Sequence, residues 1–345
     1  MRPALAARAA HHHGLFTRRD ALEAGYTERE LRRLLRPSGE WVAVRRGVYA
    51  ERQHWEGLVG YDAQPALVDR AVQLTAQVPH VLSHDSAARA LGLPLVSTGP
   101  PLVHITRPGV GGSRTEHGVK HHLSRVAPDI VTVDGLRVTS LARTALDLGR
   151  EHGFVPGVAA VDHALRAGVG REELEALLEG MRCWPGITGA RAAVECGDGG
   201  AESPGESMAR LLVSELGIGT PETQFPLQLP HGVAWCDLRV GCHVFEFDGR
   251  IKYRRAEDGG VSDRPADEVV WDERQRERLI CAAGLGVSRL LWEDLWGAAR
   301  MRAKARLRDE YAVTVARFGQ VLPDHLERFA QRMRGRRRAG SPRPM

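Results

Sequence analysis

Residues 241–253, GCHVFEFDGRIKY, place Glu246 and Asp248 one residue apart inside a β-branched and aromatic run. Side chains alternate across a strand, so the two carboxylates share one face while Phe245 and Phe247 take the other. Two acids side by side in an apolar setting repel each other and lose solvation, at a cost on the order of several kcal/mol. A divalent cation relieves that cost. Hard carboxylate oxygens select Mg²⁺ or Mn²⁺, whose retained waters can be activated for attack on a phosphodiester. Asp237, in the apolar run GVAWCDLRV, and Glu206, near the start of SPGESMARLLVSELG, can add further oxygens. Asp237, Glu246 and Asp248 are therefore the candidate metal ligands, with Glu206 completing the catalytic acids. Lys252, four residues beyond Asp248, is placed to stabilise charge developing on phosphate. A competing reading has Asp248-Gly249 ending the strand in a turn and Glu246 paired with one of the chain's many arginines.

These acids need a scaffold. SPGESMARLLVSELG reads as an amphipathic helix with Met208, Leu211, Leu212 and Leu216 on its apolar stripe and Gly217 as its stop. PETQFPLQLP and GVAWCDLRV read as two strands joined near His231-Gly232, with CHVFEFDG as a third. The Gly/Ser/Pro cluster CGDGGAESPGES marks a boundary before this region.

The N-terminal segment has a different character. TRRDALEAG starts at a Thr17 cap, and TERELRRLL pairs Thr27 with Glu30 in the capping-box spacing. EWVAVRRGVYA alternates as two strands around an Arg45-Arg46-Gly47 turn, so the segment outlines a winged helix-turn-helix. Arg29, Arg32, Arg33 and Arg36 lie along or just past the second helix, and Arg45 and Arg46 on the wing. Positive charge so placed suits a DNA backbone; a solvated basic helix used for protein contacts is the bland counterpart.

Between these regions, PALVDRAVQLTAQV, SHDSAARALGL and SLARTALDLGR have helical patterns, and PLVHITRPG, GVKHHLS and GLRVTS have strand patterns. His84, His104, His117, His121 and His122 lack the helical spacing of a metal motif and read as packed, surface or phosphate-contacting side chains. The expected domains are a winged helix at 14–51, a mixed α/β middle region at 63–150, a helical linker at 151–200, an α/β domain at 201–297, C-terminal helices at 298–334 and a basic disordered tail at 335–345.

Composition bounds the rest. The 345 residues suit two or three domains, and 43% hydrophobic with 26% charged residues is ordinary globular usage. No uninterrupted apolar run or export signal stands out, so no membrane partner and a cytoplasmic location are expected. Five cysteines without CxxC spacing suggest reduced thiols. The net charge of +5 owes much to six arginines between 332 and 343, without which the body is about −1.

The stretches ESMARLL, ETQFPL, CDLRV, FEFDGRIKY and DERQRERLICAAGLGVSRLLWEDLW resemble the Vsr-like branch of the PD-(D/E)XK nuclease superfamily, over residues 202–297. The resemblance implies a restriction-endonuclease-like αβββαβ core, metal-binding acids at Asp237 and Glu246, and Asp248 standing where many relatives carry Lys or Gln. It also puts Glu273, Arg274 and Arg278 along the site and Arg289 near phosphate. GLFTRRDALEAGYTERELRRLL with WVAVRRGVYA is similar to the N-terminal winged helix of the AbiEi family of type IV antitoxins. VLSHDSAARALGL, VHITRPG and TSLARTALDL resemble the segments that accompany it in actinobacterial proteins of the same build. That likeness implies DNA as a partner, with a cognate toxin as a second. The sequence leans towards a Mg²⁺-dependent (or Mn²⁺-dependent) endonuclease with a DNA-binding module. The alternative is a non-catalytic DNA-binding regulator of the antitoxin kind, and a protein-interaction scaffold ranks third.

Overall fold

The computed structural model describes residues 1–96, 99–108, 112–124, 129–230, 232–249 and 266–340, with the backbone alone for 266–273 and 336–340. The chain divides into two compact units, Met1–Gly197 and Asp198–Met345.

The first unit opens with α1 (Pro3–His11), β1 (Leu15–Thr17), α2 (Arg18–Glu23), α3 (Glu28–Leu34), β2 (Trp41–Arg45) and β3 (Val48–Glu51). The strands form an antiparallel sheet in the order β1-β3-β2. Both helix starts carry capping boxes, Thr17 with Asp20 and Thr27 with Glu30, which satisfy backbone N–H groups that a helix start leaves bare. Trp41 is buried against Phe16, Tyr26, Leu31 and Leu34. Helix α1, outside the expected 14–51 span, supplies Leu5 and Ala9 to the same core.

After α4 (Arg52–Glu56), helix α5 (Ala63–Thr75) buries Leu67 and Ala71 against Leu15, Val48 and Ala50. A six-stranded mixed sheet follows, built from β4 (Val81–Leu82), β5 (Val103–Thr106), β6 (Arg114–Glu116), β7 (Val119–His122), β8 (Ile130–Val133) and β9 (Leu136–Thr139), in the order β6-β7-β5-β4-β9-β8. Helix α6 (His84–Leu91) lies between β4 and β5 in sequence. Helices α7 (Leu141–His152), α8 (Phe154–Arg166), α9 (Arg171–Gly180) and α10 (Ile187–Cys196) complete the unit. The stretch expected as a linker is therefore packed structure: a Cβ on Gly157 would stand 2.7 Å from Gly149 Cα and 3.1 Å from Ala193 Cβ. Small residues here let three helices approach at backbone distance.

The second unit contains α11 (Pro204–Ser214), β10 (Glu222–Leu229), β11 (Gly232–Val240), β12 (His243–Asp248), α12 (Ala266–Ala282) and β13 (Gly286–Leu291). The sheet order is β10-β11-β12-β13, antiparallel through β12 and parallel between β12 and β13. A 3-10 turn (Trp292–Leu295), α13 (Gly297–Phe318) and α14 (Asp324–Gly340) close it. The turn between β11 and β12 relies on Gly241, whose φ is 56° and whose Cβ would meet the Gln320 carbonyl oxygen at 2.5 Å. Phe225, Leu227, Cys236 and Val244 pack under Ile280 of α12 and Leu326 and Ala330 of α14. Helix α14 continues to Gly340, and its Leu326 and Ala330 are packed into this core. Among the described residues no helix is long and apolar enough to cross a membrane.

The α7–α8–α10 contact yields a stability prediction. Gly157→Ala should cost about 1–3 kcal/mol, since backbone must move to admit the methyl group, whereas Gly180→Ala, with open space around it, should be close to neutral. Thermal melts that lower both variants equally would refute this account.

Candidate functional site

Arg29, Arg32, Arg33 and Arg36 recur at helical spacing on and just beyond α3 and are exposed, while Leu31 and Leu34 face the core. Neighbouring acids are engaged elsewhere: Glu28 pairs with Arg18, and Glu30 caps the helix and pairs with Arg2 at 2.9 Å. Among the described residues, none of these four guanidiniums has a carboxylate within 4.0 Å. On the hairpin, Arg45 is the last residue of β2, in register with Val48, so the turn is Arg46-Gly47 rather than the three residues expected. Gly47 supplies a φ of 81° there. Arg46 is exposed at the tip, whereas Arg45 is half-buried and burial lowers its guanidinium pKa.

The acids fall into two groups. At the start of α11, the Ser203 hydroxyl accepts the Glu206 N–H and donates to Glu206 Oε1 at 2.9 Å, while Glu206 Oε2 accepts the Glu202 N–H at 2.8 Å. Gly205 lets the start of α11 lie against β12, because a Cβ there would lie 2.0 Å from the Phe247 ring. Burial, and then the Asp237 carboxylate nearby, push the Glu206 carboxyl up to about 7. The β11–β12 pairing ends at Leu238↔Phe245, and beyond that point Asp237 Oδ2 accepts the Phe247 N–H at 2.8 Å. Across β10, Gln224, where the register skips Asp237, has a φ of 50°. Asp237 thus takes over a ladder hydrogen bond at a break in the sheet.

Glu246 and Asp248 share a face, as the alternation requires, and line a small cavity of about 40 Å³ with Arg276, Glu277, Val287 and Arg289. Arg276 bonds Glu246 Oε1 at 3.1 Å and the Trp235 carbonyl at 2.6 Å. The arginine-paired reading of Glu246 therefore describes this structure. Sequence reading named Arg274 and Arg278, which are exposed, and missed Arg276 between them; helical phase against Ile280, the buried residue one turn on, would have found it. Arg289 pairs with Glu277 at 3.6 Å. Lys252 and the Glu273 side chain lie outside the described residues. As candidates for a cation, Glu206 and Asp237 fit, since their mutual repulsion would be relieved, while Glu246 already has its counter-charge.

Among the described residues, one group of three or more His, Cys, Asp or Glu brings its ligand atoms within 4.8 Å of one another, and it is His84, His104 and His122. The spacing rule that set these histidines aside sees neighbours on one element; these come from three.

Comparison with known proteins bears on the basic face. Residues 3–52 match the family described as "Transcriptional regulator, AbiEi antitoxin". Two Mycobacterium tuberculosis proteins, uncharacterized protein MT2308 of strain CDC 1551 / Oshkosh and uncharacterized protein Rv2248 of strain ATCC 25618 / H37Rv, are each 34% identical over 146 residues, or 40% of this chain and 53% of theirs. The chain spans about half the length of these curated relatives. The crystal structure of the RV2827C protein from Mycobacterium tuberculosis aligns with 17% identity and a TM-score of 0.37, covering 59% of this chain and 78% of that one.

The environment of Glu206 makes a pH prediction. Its folded pKa, about 7, lies above the ordinary glutamate value, so the folded chain binds this proton more tightly than the unfolded one. The stabilisation is complete below about pH 4.5 and is lost as pH rises through about 7. Glu206→Gln removes the titration, so the melting-temperature difference should shift in the variant's favour over that window; a difference flat with pH would sink the assignment.

Proposed function

We propose that this protein is a DNA-binding transcriptional regulator of the antitoxin kind, in which α3 and the Arg46-Gly47 turn meet the DNA. The observation that carries this reading is the row Arg29, Arg32, Arg33 and Arg36, exposed and with no carboxylate within 4.0 Å among the described residues, on and just beyond α3, the third helix of a segment that matches a regulator family. Guanidiniums at this spacing neutralise successive phosphates and release condensed counterions, while the helix they line presents its N-terminal residues to base edges. Arg46 at the hairpin tip adds a contact beside the helix, and Arg45, half-buried, adds less. A toxin encoded as its partner belongs to the same reading. The sequence by itself leaned towards hydrolysis; the family match and the Glu246–Arg276 pair move the balance to regulation.

A second reading, metal-dependent endonuclease, is favoured by one observation: a half-buried Glu206 beside Asp237 where a helix, three strands, a helix and a strand succeed one another. Asp237, Glu246 and Asp248 would hold Mg²⁺ or Mn²⁺, which would supply Lewis acidity and an activated water. Arg276 would have to yield its bond to Glu246, and Lys252 would stand by the phosphate.

Arg32→Ala with Arg33→Ala should weaken binding to every DNA sequence and reduce the log–log salt slope by about 0.9 for each phosphate left without its guanidinium. Fluorescence anisotropy over a salt series reads both quantities, and Arg46→Ala should exceed Arg45→Ala in effect. An unchanged slope in the double variant would remove α3 from the interface. Incubation of labelled DNA with Mg²⁺ or Mn²⁺ separates the two readings: cleavage abolished by Asp237→Asn favours the nuclease, and binding without cleavage favours the regulator.

A further inference from the structure

The buried histidines of the six-stranded sheet have no role in DNA contact or in the carboxylate cluster. His104 on β5 and His122 at the end of β7 lie on one sheet face: these parallel strands register His104 with Lys120 and Thr106 with His122. His104 Nδ1 and His122 Nε2 are 3.1 Å apart, a hydrogen bond between the two rings that a metal ion would replace. His84, at the start of α6, has Nδ1 bonded to the Ser83 hydroxyl at 3.0 Å and stacks on His122 with ring centroids 3.8 Å apart and planes 15° from parallel, so a shared ion requires these two rings to splay apart. All three side chains are buried. His84 also has a φ of 48°, a conformation costly for a residue with a Cβ and maintained only where its surroundings demand it.

The surroundings resemble those that orient metal-binding imidazoles. Asp85 Oδ2 lies 3.9 Å from His104 Nε2, on the far side of the ring from the nitrogen that meets His122, and its Oδ1 meets His152 Nε2 at 2.6 Å. At 3.9 Å the carboxylate is beyond hydrogen-bond reach, but its charge favours a proton on the near nitrogen, Nε2, and leaves Nδ1 to face His122; closing that gap would give the carboxylate–imidazole pair that orients metal ligands. Burial holds His104 down at about 4 and His122 at about 3, so both keep neutral rings at neutral pH. Metal–nitrogen bonds of about 2.0–2.1 Å in a tetrahedron put neighbouring nitrogens roughly 3.3 Å apart, close to the His104–His122 separation. His84 and His122 also reach the wall of a cavity of about 690 Å³ whose other lining includes the Lys120–Glu151 ion pair, Trp184, and Arg143 and Arg150, which share the Asp147 carboxylate.

We propose that His84, His104 and His122 form a three-histidine site for a first-row divalent metal of the zinc class, with an open coordination position facing this cationic cavity. Neutral imidazoles suit Zn²⁺, Co²⁺ or Ni²⁺ and disfavour Mg²⁺ or Ca²⁺. The cavity's guanidiniums suit water or a small anion in the fourth position. Asp85 acts through His104 as a positioning residue.

The test uses the full chain, stripped with chelator and titrated with Zn²⁺ alone by calorimetry and with Co²⁺ alone by visible absorption. One equivalent should bind, with the intense visible bands of low-coordinate Co²⁺. His11, His12 and His13 offer a competing exposed cluster, so a variant with all three changed to Ala is the background, and it should keep the site. On that background His122→Ala should abolish binding, and Asp85→Asn should weaken it about 10–100-fold. Circular dichroism checks folding; if His122→Ala does not fold, Asp85→Asn and the Co²⁺ spectrum decide. Loss of all binding in the His11/His12/His13 variant, or an octahedral Co²⁺ spectrum there, would overturn the proposal.

Discussion

A carboxylate taken out of water must meet a cation or a proton, and Asp147 shows what meeting a cation organises. It is completely buried on α7, with Arg143 Nε 2.9 Å from Oδ2 and Arg150 2.7 Å from Oδ1. Both guanidiniums lie over the Trp184 ring, and Arg150 also bonds the Pro185 carbonyl at 3.0 Å. One buried charge therefore fixes α7, the turn before α10 and the cationic wall of the large cavity. Removing one partner of such a buried pair typically costs about 3–5 kcal/mol, because the other charge stays behind without its solvent. Asp69 does the same between α5 and α6, held by Arg89 at 2.8 Å and bonded by Ser86.

The same requirement sorts the acids of the second unit. Glu246 meets Arg276 across the gap between β12 and α12, so its negative charge is already compensated. Glu206 is pushed up to about 7 by burial first and then by the Asp237 carboxylate, so it holds a proton more readily than an ordinary glutamate. The α3 arginines present the converse, cations on the surface with the neighbouring acids spent on caps and other pairs. These mismatches differ in kind: the α3 cations are exposed with no carboxylate within 4.0 Å among the described residues, and Glu206 lies where a cation would gain most.

Local rules were legible in the sequence wherever the cause was local. Thr27 and Glu30 specify a capping box over three residues, and alternation puts Glu246 and Asp248 together without knowledge of any other strand. Causes that close through space were not. Arg276 reaches Glu246 from thirty residues away, and only the phase of α12 on the sheet selects it over Arg274 and Arg278. The three histidines are separated by whole elements: the parallel pairing of β5 with β7 brings His104 to His122, and the start of α6 brings His84, both long-range choices. Helix α1 escaped notice because its alanines and histidines give a weak stripe, and Leu5 becomes decisive only once Trp41 and Phe16 form a surface for it.

Helix α5 ties the basic face to the rest of its unit. Leu67 and Ala71 cover Leu15, Val48 and Ala50 of the N-terminal sheet, while Val72 and Val68, one position along at the same spacing, enter the core of the six-stranded sheet. Two cores thus share one helix. The matched segment, residues 3–52, ends before the helix that covers its second apolar face. A fragment cut there would expose buried Leu15 and Val48 to water, at roughly 1.5–3 kcal/mol for each large aliphatic side chain. The basic face is therefore part of the first unit's architecture, and its stability depends on α5 and on the buried Asp69 that α5 carries into the next layer.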